Sequence, residues 1–344
     1  MSPALDEQDL MHVLDHTREV WSDLEGARVL LTGASGFIGS WLLESLLFAR
    51  TRLGVDVRVW VLVRDAEAFA RRLPHLAVDP HVRLLISDVR DLDTARLPLT
   101  HVIHAASAAS PEMNEERPDE VVDLIERGTL RVLEAARAGG ASRFLQISSG
   151  SVYGPQPPTL PGLDETYPGR ADATVASMRF GAAKLSAENL GRGLGADGPR
   201  HVAARIFGLV GPRLPLAGQF ALGNFLGDAL AGRTVTLTGD GSPIRTWMHA
   251  ADLTAWCWTL LTRGRPDAAY NVGSEEDLSL WEAACRVADL PSPVVAAARR
   301  REPEPGILPP RFVPSIALAR AELGLDAWIG LDEALRRTWR WLHS

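Results

Sequence analysis

The sequence is poor in cysteine and has no long apolar run. Only two of its 344 residues are cysteines, Cys257 and Cys285. They are too few for a disulfide framework or a four-ligand zinc site, and we expect no metal site. No apolar run reaches the ~18 residues that a membrane-spanning helix needs. The N-terminal residues are acidic and lack the basic-then-apolar layout of a secretion signal. We therefore expect a cytoplasmic protein.

Basic residues are outnumbered by acidic ones, and nearly all of them are arginine. The chain has 36 Lys and Arg against 43 Asp and Glu, a formal net charge of -7. Because no dense basic stretch occurs, we expect neither nucleic acid nor a membrane as a partner. Lys184 is the only lysine. Arginine would serve equally well on a surface, so this lysine indicates a compact site with a particular role.

Short apolar runs alternate with helical patterns through the first half of the chain. Buried strands are predicted at 29–31, 57–63, 82–86, 101–105 and 144–147, and helices at 37–50, 118–138 and 177–190. Buried strands that alternate with helices are typical of a doubly wound parallel sheet. The sequence therefore predicts an α/β fold. Residues 1–26 have apolar positions at helical spacing and predict a helical extension that packs on the main domain.

The pattern is less regular in the second half. Residues 155–169 are rich in proline and glycine and predict a loop, and 202–210 predict one further strand. Glycines and short strands are expected between 211 and 245. The end of the chain, 278–342, is expected to be mostly helical with a proline-rich break at 303–310.

Three glycines lie between the first predicted strand and the first predicted helix. Glycine lets a backbone turn tightly and approach a pyrophosphate, which is held by the free N–H groups of the helix N-terminus. The strand–turn–helix context predicts a dinucleotide site. Its expected contacts in this turn are Gly33, Ser35, Gly36, Phe37, Ile38 and Gly39.

The residues that follow the next three strands predict the rest of this site. Arg64 ends the second strand and favours the 2′-phosphate of NADP, whereas Asp65 keeps NAD open. We expect Asp88 and Val89 near the adenine. After the fourth strand, small residues let the backbone pass close to the cofactor; the expected contacts there are His104, Ala105, Ala106 and Ser107.

Together with later motifs, these residues resemble the extended short-chain dehydrogenase/reductase family, in its nucleotide-sugar epimerase/dehydratase branch. The later motifs are Ser148-Ser149-Gly150-Ser151-Val152-Tyr153-Gly154, Lys184, Gly211-Pro212, Gly239-Asp240-Gly241, Arg245-Thr246-Trp247, Asp252 and Tyr270-Asn271-Val272-Gly273. The resemblance covers 27–344. It implies a Rossmann-type domain of 27–211 with 246–275, and a smaller C-terminal α/β substrate lobe of 212–245 with 276–344.

The resemblance also implies roles for individual residues. Further cofactor contacts would be Ser148, Lys184, Phe207 and Leu209, and substrate contacts would be Ser151, Asn224, Thr236, Leu237 and Arg245. Arg245 matches an arginine that contacts the substrate pyrophosphate. The implied ligand is a nucleotide-diphosphate sugar, from which the dinucleotide removes a hydride. Dimerisation through helices near 118–138 and 177–193 is implied as well.

The sequence departs from the family at the catalytic tyrosine. The family pattern is Tyr-x-x-x-Lys, with a Ser or Thr at the position of Ser149, but this chain has Phe180 four residues before Lys184. Phenylalanine cannot exchange a proton, and the loss of a positioned acid–base group costs on the order of 10² to 10⁴ in rate. In addition, Gly150 and Ser151 replace the Asp-Glu pair of 4,6-dehydratases, which disfavours that reaction.

Only three tyrosines remain as substitutes. Tyr153 lies in a structural turn of the family pattern, Tyr270 lies far along the chain, and Tyr167 lies in the predicted loop, where it could reach the substrate or simply pack. Weaker candidates are His249, Glu112 and Asp164.

We therefore expect NAD(P)-dependent modification of a nucleotide-diphosphate sugar, epimerase- or dehydratase-like, with a non-standard acid–base group, either Tyr167 or a group of the substrate itself. One alternative is an NADPH-dependent 4-ketoreductase of a nucleotide sugar, which Arg64 favours. The other is a non-catalytic protein that binds a dinucleotide or sugar nucleotide, which Phe180 favours. Fold and binding motifs alone do not separate these functions.

Overall fold

A computed structural model describes residues 2–93, 97–107, 113, 116–195 and 198–344. The chain divides into two units. The first comprises Met1–Gly154, Arg170–Ile206 and Leu253–Tyr270, and the second comprises Pro155–Gly169, Phe207–Asp252 and Asn271–Ser344.

Strands and helices alternate along the chain. The strands are β1 (Arg28–Thr32), β2 (Arg58–Val63), β3 (Val82–Ile86), β4 (His101–His104), β5 (Arg143–Ser149), β6 (Arg200–Ile206), β7 (Leu209–Val210), β8 (Val235–Leu237), β9 (Ile244–Thr246), β10 (Met248–His249), β11 (Ala269–Val272), β12 (Asp277–Ser279), β13 (Ala297–Arg299) and β14 (Arg311–Phe312). The α-helices are α1 (Glu7–His16), α2 (Phe37–Leu53), α3 (Ala66–Arg72), α4 (Pro74–Ala77), α5 (Pro118–Gly139), α6 (Arg179–Arg192), α7 (Ala221–Leu230), α8 (Ala250–Arg263), α9 (Leu280–Ala288), α10 (Ala317–Leu323) and α11 (Leu331–Leu342). Short 3₁₀ helices cover Trp21–Leu24, Val89–Asp91, Gly150–Tyr153 and Ala176–Met178.

Seven strands form the central sheet, in the order β11-β6-β5-β4-β1-β2-β3. Strand β1 pairs in parallel with β2 on one side and β4 on the other, so that Leu31 lies opposite Val61 and Ile103. The chain order therefore reverses at β1, and ligands of open α/β sheets bind at such a point, beyond the carboxyl ends of the strands. The predicted Rossmann-type α/β fold is confirmed.

Helix α2 is buried on most of its surface, as expected for a helix that is apolar all round. Trp41 and Leu42 have no exposed surface. The helix ends at Gly54, whose φ of 73° is the left-handed conformation that commonly terminates helices. This packing fixes α2 and hence the glycine turn that precedes it.

The N-terminal residues are part of the core of the first unit. Helix α1 is capped by Asp6, whose side chain accepts a hydrogen bond from the backbone N–H of Gln8. Farther on, the ring of Trp21 lies 5.1 Å from that of Trp258. Trp258 in turn donates through Nε1 to Ser45 Oγ on α2, at 2.9 Å. The N-terminal segment and α8 therefore share buried contacts.

Small sheets and helices build the second unit. Strand β9 pairs with β12 and β14, β8 pairs with β13, and β7 pairs with β10. Helix α9 begins at a capping box, in which Ser279 and Glu282 exchange side chain–backbone hydrogen bonds. A capping box satisfies N–H groups that a helix leaves unpaired at its start.

Three predictions about elements need correction. The single strand predicted at 202–210 is two strands, because the chain leaves the sheet at Gly208, where a Cβ would lie 2.0 Å from Thr246 O. The helix predicted from residue 177 begins at Arg179, after a 3₁₀ turn. The region expected to be mostly helical also contains β13 and β14, which form only by pairing with β8 and β9. Such pairing leaves no local periodicity in the sequence.

Candidate active site

The glycine turn joins β1 to α2 in a conformation that side chains would block. Gly33 has a φ of 76°, and a Cβ there would lie 2.6 Å from the carbonyl carbon of Ala105. A Cβ at Gly39 would lie 2.3 Å from Gly33 O. Glycine is therefore required at both positions, since the loop after β4 and the first turn of α2 press against the turn.

The outer side of the same turn fits a dinucleotide pyrophosphate. A Cβ at Gly36 would meet only Gly33 O within 4 Å, at 3.2 Å. Gly36 is the N-cap of α2 and provides no side-chain hydrogen bond, and the first helical turn has no acidic residue. The first N–H groups of a helix have no partner inside it, so they can bind an anion here. Ser35 is exposed, and Phe37 and Ile38 are half-buried beside it.

The two residues after β2 differ in what their side chains do. Asp65 is the N-cap of α3, and its carboxylate accepts a hydrogen bond from Ala68 N at 2.9 Å. Arg64 is exposed and helps to lower the pKa of Asp88. Both residues are exposed, and the carboxylate of Asp65 already accepts this backbone hydrogen bond.

Asp88 and Val89 are held by contacts within the first unit. The hydrogen bonds and charge of Arg90 keep the pKa of the Asp88 carboxyl below its usual value. Arg90 also bridges to Asp123 on α5, at 3.1 Å. Val89 packs so closely on α5 that a Cβ at Gly128 would lie 2.9 Å from it.

His104, at the end of β4, links β1 and α5 through hydrogen bonds of its two ring nitrogens. Its Nδ1 lies 2.8 Å from Thr32 Oγ1, and its Nε2 lies 3.1 Å from Thr129 Oγ1. The same Thr32 hydroxyl accepts a hydrogen bond from Ala106 N at 3.1 Å. Burial, reinforced by the positive charge of Lys184, lowers the pKa of His104 to about 3. The imidazole is therefore neutral. Through Thr32 it helps to hold Ala106, which together with Ala105 lies against the glycine turn. Ser107, the next residue, is half-buried.

The serines at the end of β5 have different partners. Ser148 Oγ donates to Glu188 Oε1 at 2.6 Å, inside the protein. Ser149 Oγ donates to Ser151 Oγ at 3.1 Å, and both side chains are half-buried. Helix α6 lies directly on this segment, since a Cβ at Gly181 would be 2.2 Å from Ser151 O. The sequence positions 148–151 and 180–184 are therefore neighbours in space.

Lys184 is buried next to Phe180. Its side chain is 6% exposed, and Nζ donates to Ile147 O at 3.1 Å and lies 5.7 Å from the centroid of the Phe180 ring. Burial lowers the pKa of Lys184 to about 8, although the charge of Glu188 opposes this. The ring of Phe180 packs on Val121 and Ile125 of α5. The ammonium therefore lies near the Ile147 carbonyl and the Phe180 ring. That ring stands where the family pattern has the phenol of a tyrosine.

The sequence did not predict Glu188 and Arg205 as residues of the site. Arg205 on β6 pairs with Glu188 through Nη2 and Oε2, at 2.8 Å, and both residues are buried. The spacing of Glu188, one helical turn after Lys184, is the signal that points to it.

The three tyrosines differ in burial. Tyr153 is buried, and its hydroxyl accepts a hydrogen bond from Arg205 Nη1 at 2.9 Å. Tyr270 is also buried, and its hydroxyl accepts one from Arg265 N at 3.1 Å. Tyr167 is half-buried and follows a turn in which its N–H donates to Asp164 O at 3.1 Å.

The remaining predicted residues lie in the second unit. Asn224 on α7 donates through Nδ2 to Gly218 O at 2.9 Å. On β8, Thr236 is exposed and Leu237 is buried. Phe207 stacks on Phe312, with ring centroids 4.7 Å apart, and Leu209 is half-buried.

Arg245 on β9 is half-buried, and burial lowers its pKa. Its Nη1 donates to Ile244 O at 2.8 Å. Of the weaker acid–base candidates, His249 is buried and accepts from Ala251 N at 3.2 Å, and Asp164 binds the backbone of Thr166. Glu112 lies outside the described residues.

Among the residues that the structure describes, no group of three or more His, Cys, Asp or Glu side chains could hold a metal ion. None of the helices that the structure describes combines the length and apolar character needed to cross a bilayer.

The fold and the glycine turn define a dinucleotide-binding α/β protein. Residues 29–273 match the model of the NAD dependent epimerase/dehydratase family, and the chain belongs to that family. It is thus an enzyme of an NAD-dependent class, and the resemblance seen in the sequence is confirmed.

Curated relatives and solved structures agree with this assignment. The chain is 28% identical over 314 residues to UDP-glucuronic acid decarboxylase 1 of Arabidopsis thaliana, across 90% of this chain and 68% of the relative. It is 26% identical over 261 residues to a dTDP-glucose 4,6-dehydratase of Streptomyces antibioticus, across 73% of each chain. A tyrosine-to-phenylalanine variant of UDP-glucuronic acid 4-epimerase from Bacillus cereus, in complex with NAD and a substrate analogue, has the same fold. Its TM-score is 0.76 at 22% identity, over 92% of this chain and 99% of that one.

Proposed function

We propose that this protein converts a nucleotide-diphosphate sugar by an oxidation that is reversed within the same catalytic cycle. The observation that carries the proposal is the buried Lys184 ammonium, which lies beside the end of β5 in a chain with an intact glycine turn. The names of the relatives support the substrate class, because each of them acts on a sugar linked to UDP or dTDP.

NAD, when bound, supplies an acceptor for a hydride from a sugar carbon that bears a hydroxyl. The N-terminus of α2 and the glycine turn would bind its pyrophosphate, and Lys184 would donate to the nicotinamide ribose. Ser149 would orient the reacting hydroxyl. Ser151, Asn224, Thr236, Leu237 and Arg245 are the proposed substrate contacts, and Phe207 and Leu209 are proposed cofactor contacts.

The reaction needs a proton acceptor other than residue 180, since a phenyl ring cannot hold a proton. Tyr153 and Tyr270 are buried with their hydroxyl groups hydrogen-bonded inside the first unit. We assign the role to Tyr167, the tyrosine of the predicted loop 155–169, and keep a group of the substrate itself as the alternative. Without an Asp-Glu pair at Gly150 and Ser151, the chain has no carboxylic acid at the place where 4,6-dehydratases protonate the leaving group. Epimerisation is therefore the favoured outcome.

A second candidate is a 4-ketoreductase that exchanges NADPH with solution. It is favoured by the arrangement after β2, where Asp65 caps α3 while Arg64 is exposed. An arginine at this position accommodates the 2′-phosphate of NADP. Both candidates are proposed to act as a homodimer, formed through α5 and α6, in the cytoplasm.

Mass spectrometry of the small molecules released on denaturing freshly purified protein tests the two candidates. We expect NAD or NADH, together with a sugar nucleotide, because a cofactor that is recycled within one cycle has no need to leave. Release of NADP or NADPH would overturn the internal-recycling mechanism in favour of the reductase. Protein that releases no dinucleotide and binds neither NAD nor NADP would contradict both.

A further inference from the structure

The carboxylate of Glu188 on α6 is fully buried and bound by three side chains. It accepts a hydrogen bond from Ser148 Oγ at 2.6 Å. Arg205 donates to it through Nε at 3.1 Å and through Nη2 at 2.8 Å. Arg192, one turn farther along α6, donates at 3.1 Å. Hydrogen bonds to a charged group are about twice as strong as neutral ones, so this carboxylate is firmly placed.

The same network reaches residues 149–153, called the catalytic segment here because it begins with the predicted catalytic residue Ser149. Arg205 uses Nη1, which does not bind Glu188, to donate to Tyr153 OH at 2.9 Å, and its guanidinium lies 4.8 Å from the centroid of the Tyr153 ring. Tyr153 belongs to the 3₁₀ helix Gly150–Tyr153 that follows Ser149. Glu188 therefore joins α6 and the end of β5 to β6 and to the catalytic segment.

Glu188 is also the carboxylate that acts on Lys184. Among the groups that face Lys184, Phe180 is apolar, Ile147 presents a carbonyl and His104 on β4 is neutral. Arg205 and Arg192 both pair with Glu188 itself. Burial favours the neutral amine of Lys184, and the charge of Glu188 opposes burial. Because residue 180 is phenylalanine, this chain has no phenolate at that position that could also stabilise the charged form of Lys184.

We propose that Glu188 is a positioning residue of the dinucleotide site, whose buried carboxylate holds α6, and with it Lys184, in register with Ser148 and the catalytic segment. The proposal rests on the proposed function only for the identity of the ligand. A charged ammonium donates all three hydrogens, whereas a neutral amine donates fewer and has lost the electrostatic attraction to an anionic dinucleotide. Loss of the Glu188 charge therefore weakens dinucleotide binding at a pH where the wild type still binds.

The single lysine makes the charge of Lys184 directly measurable. Protein labelled with ¹³C at lysine Cε has one lysine signal, and its shift against pH gives the pKa of Lys184 without any ligand. We expect Glu188→Gln to lower that pKa by about 1 or more. Glu188→Asp keeps the charge and is expected to keep most of the wild-type pKa. Glu134→Gln, which removes a half-buried carboxylate on α5 paired with Arg131, is the control and is expected to change neither the pKa of Lys184 nor its titration curve.

Dinucleotide affinity is the second readout. At a pH of about 8, Glu188→Gln is expected to raise the Kd for NAD roughly tenfold relative to Glu134→Gln. Ser148→Ala keeps every charge and loses one hydrogen bond to the carboxylate. It is expected to raise the Kd by roughly tenfold while leaving the pKa of Lys184 unchanged, and it carries the test if Glu188→Gln does not fold.

Either of two results would overturn the proposal. One is a Lys184 signal that titrates at the same pH in Glu188→Gln as in the control. The other is a Kd for NAD that is unchanged in Ser148→Ala. If the wild type fails to bind NAD, the proposed function is wrong, while the titration of Lys184 still decides whether Glu188 holds its charge.

Discussion

At the scale of single residues, Phe180 leaves the proposed reaction without a phenol at the position of the family's catalytic tyrosine. Its ring lies 5.7 Å from Lys184 Nζ and packs against α5, so the position is filled but chemically inert. Tyr167, in the second unit, is half-buried and is the tyrosine proposed as the proton acceptor. The exchange of two side chains, one at each position, therefore tests which of them carries the chemistry.

We expect Tyr167→Phe to lower kcat by about 10² or more, because the variant keeps the ring and loses only the group that exchanges the proton. Phe180→Tyr is its matched counterpart and is expected to raise kcat less than about tenfold. Turnover is measured with the sugar nucleotide that the purified protein releases, and Tm checks that both variants fold. A large gain in Phe180→Tyr with no loss in Tyr167→Phe would mean that the missing phenol at residue 180 limits the rate.

At the scale of elements, the site depends on how closely α6 approaches the end of β5. Gly181 allows this approach, because a Cβ there would lie 2.2 Å from Ser151 O and 2.9 Å from Ala171 Cβ. Neither the carbonyl nor the short alanine side chain can move aside as a long flexible side chain would. The helix as a whole must shift if residue 181 gains a side chain.

Gly181→Ala is therefore expected to lower the free energy of unfolding by about 1–3 kcal/mol, the usual range for an overpacked site. It should also weaken NAD binding, because Lys184 moves with α6. Denaturant unfolding and an NAD titration measure the two effects. Gly239→Ala is the control, since a Cβ there meets nothing within 4 Å. Equal stability and NAD affinity in the two variants would show that the position of α6 does not depend on the close approach of Gly181 to Ser151 O.

The elements that follow local patterns are those that the sequence predicted well. Strands β1 to β5 are apolar runs, and the glycine turn lies between a strand and a helix that could both be identified locally. The network around Glu188 could not be predicted in the same way, because Ser148, Glu188 and Arg205 meet only after β5, β6 and α6 have packed. Strands β12 to β14 could not be predicted for the same reason. Each is two or three residues long and forms only because it pairs with a strand distant in the sequence.

At the scale of the whole molecule, three buried histidines make stability depend on pH. Burial lowers the pKa of His101 and of His201 to about 4 and that of His104 to about 3. All three lie in the first unit, two on β4 and one on β6. Their ordinary value is about 6.5, so between pH 6.5 and 4 the unfolded chain binds protons that the folded chain does not.

The direction of the effect follows from this difference. Stability from the three histidines is fully present above pH of about 6.5 and is lost as the pH falls toward about 4. Each contributes up to about 1.4 kcal/mol per pH unit to the slope. We expect His104→Gln to reduce that slope by the share of one histidine, measured by urea unfolding at several pH values in this window. His343→Gln, an exposed control, should leave it unchanged. A slope that is the same in both variants would mean that His104 gains its proton as easily in the folded sheet as in the unfolded chain.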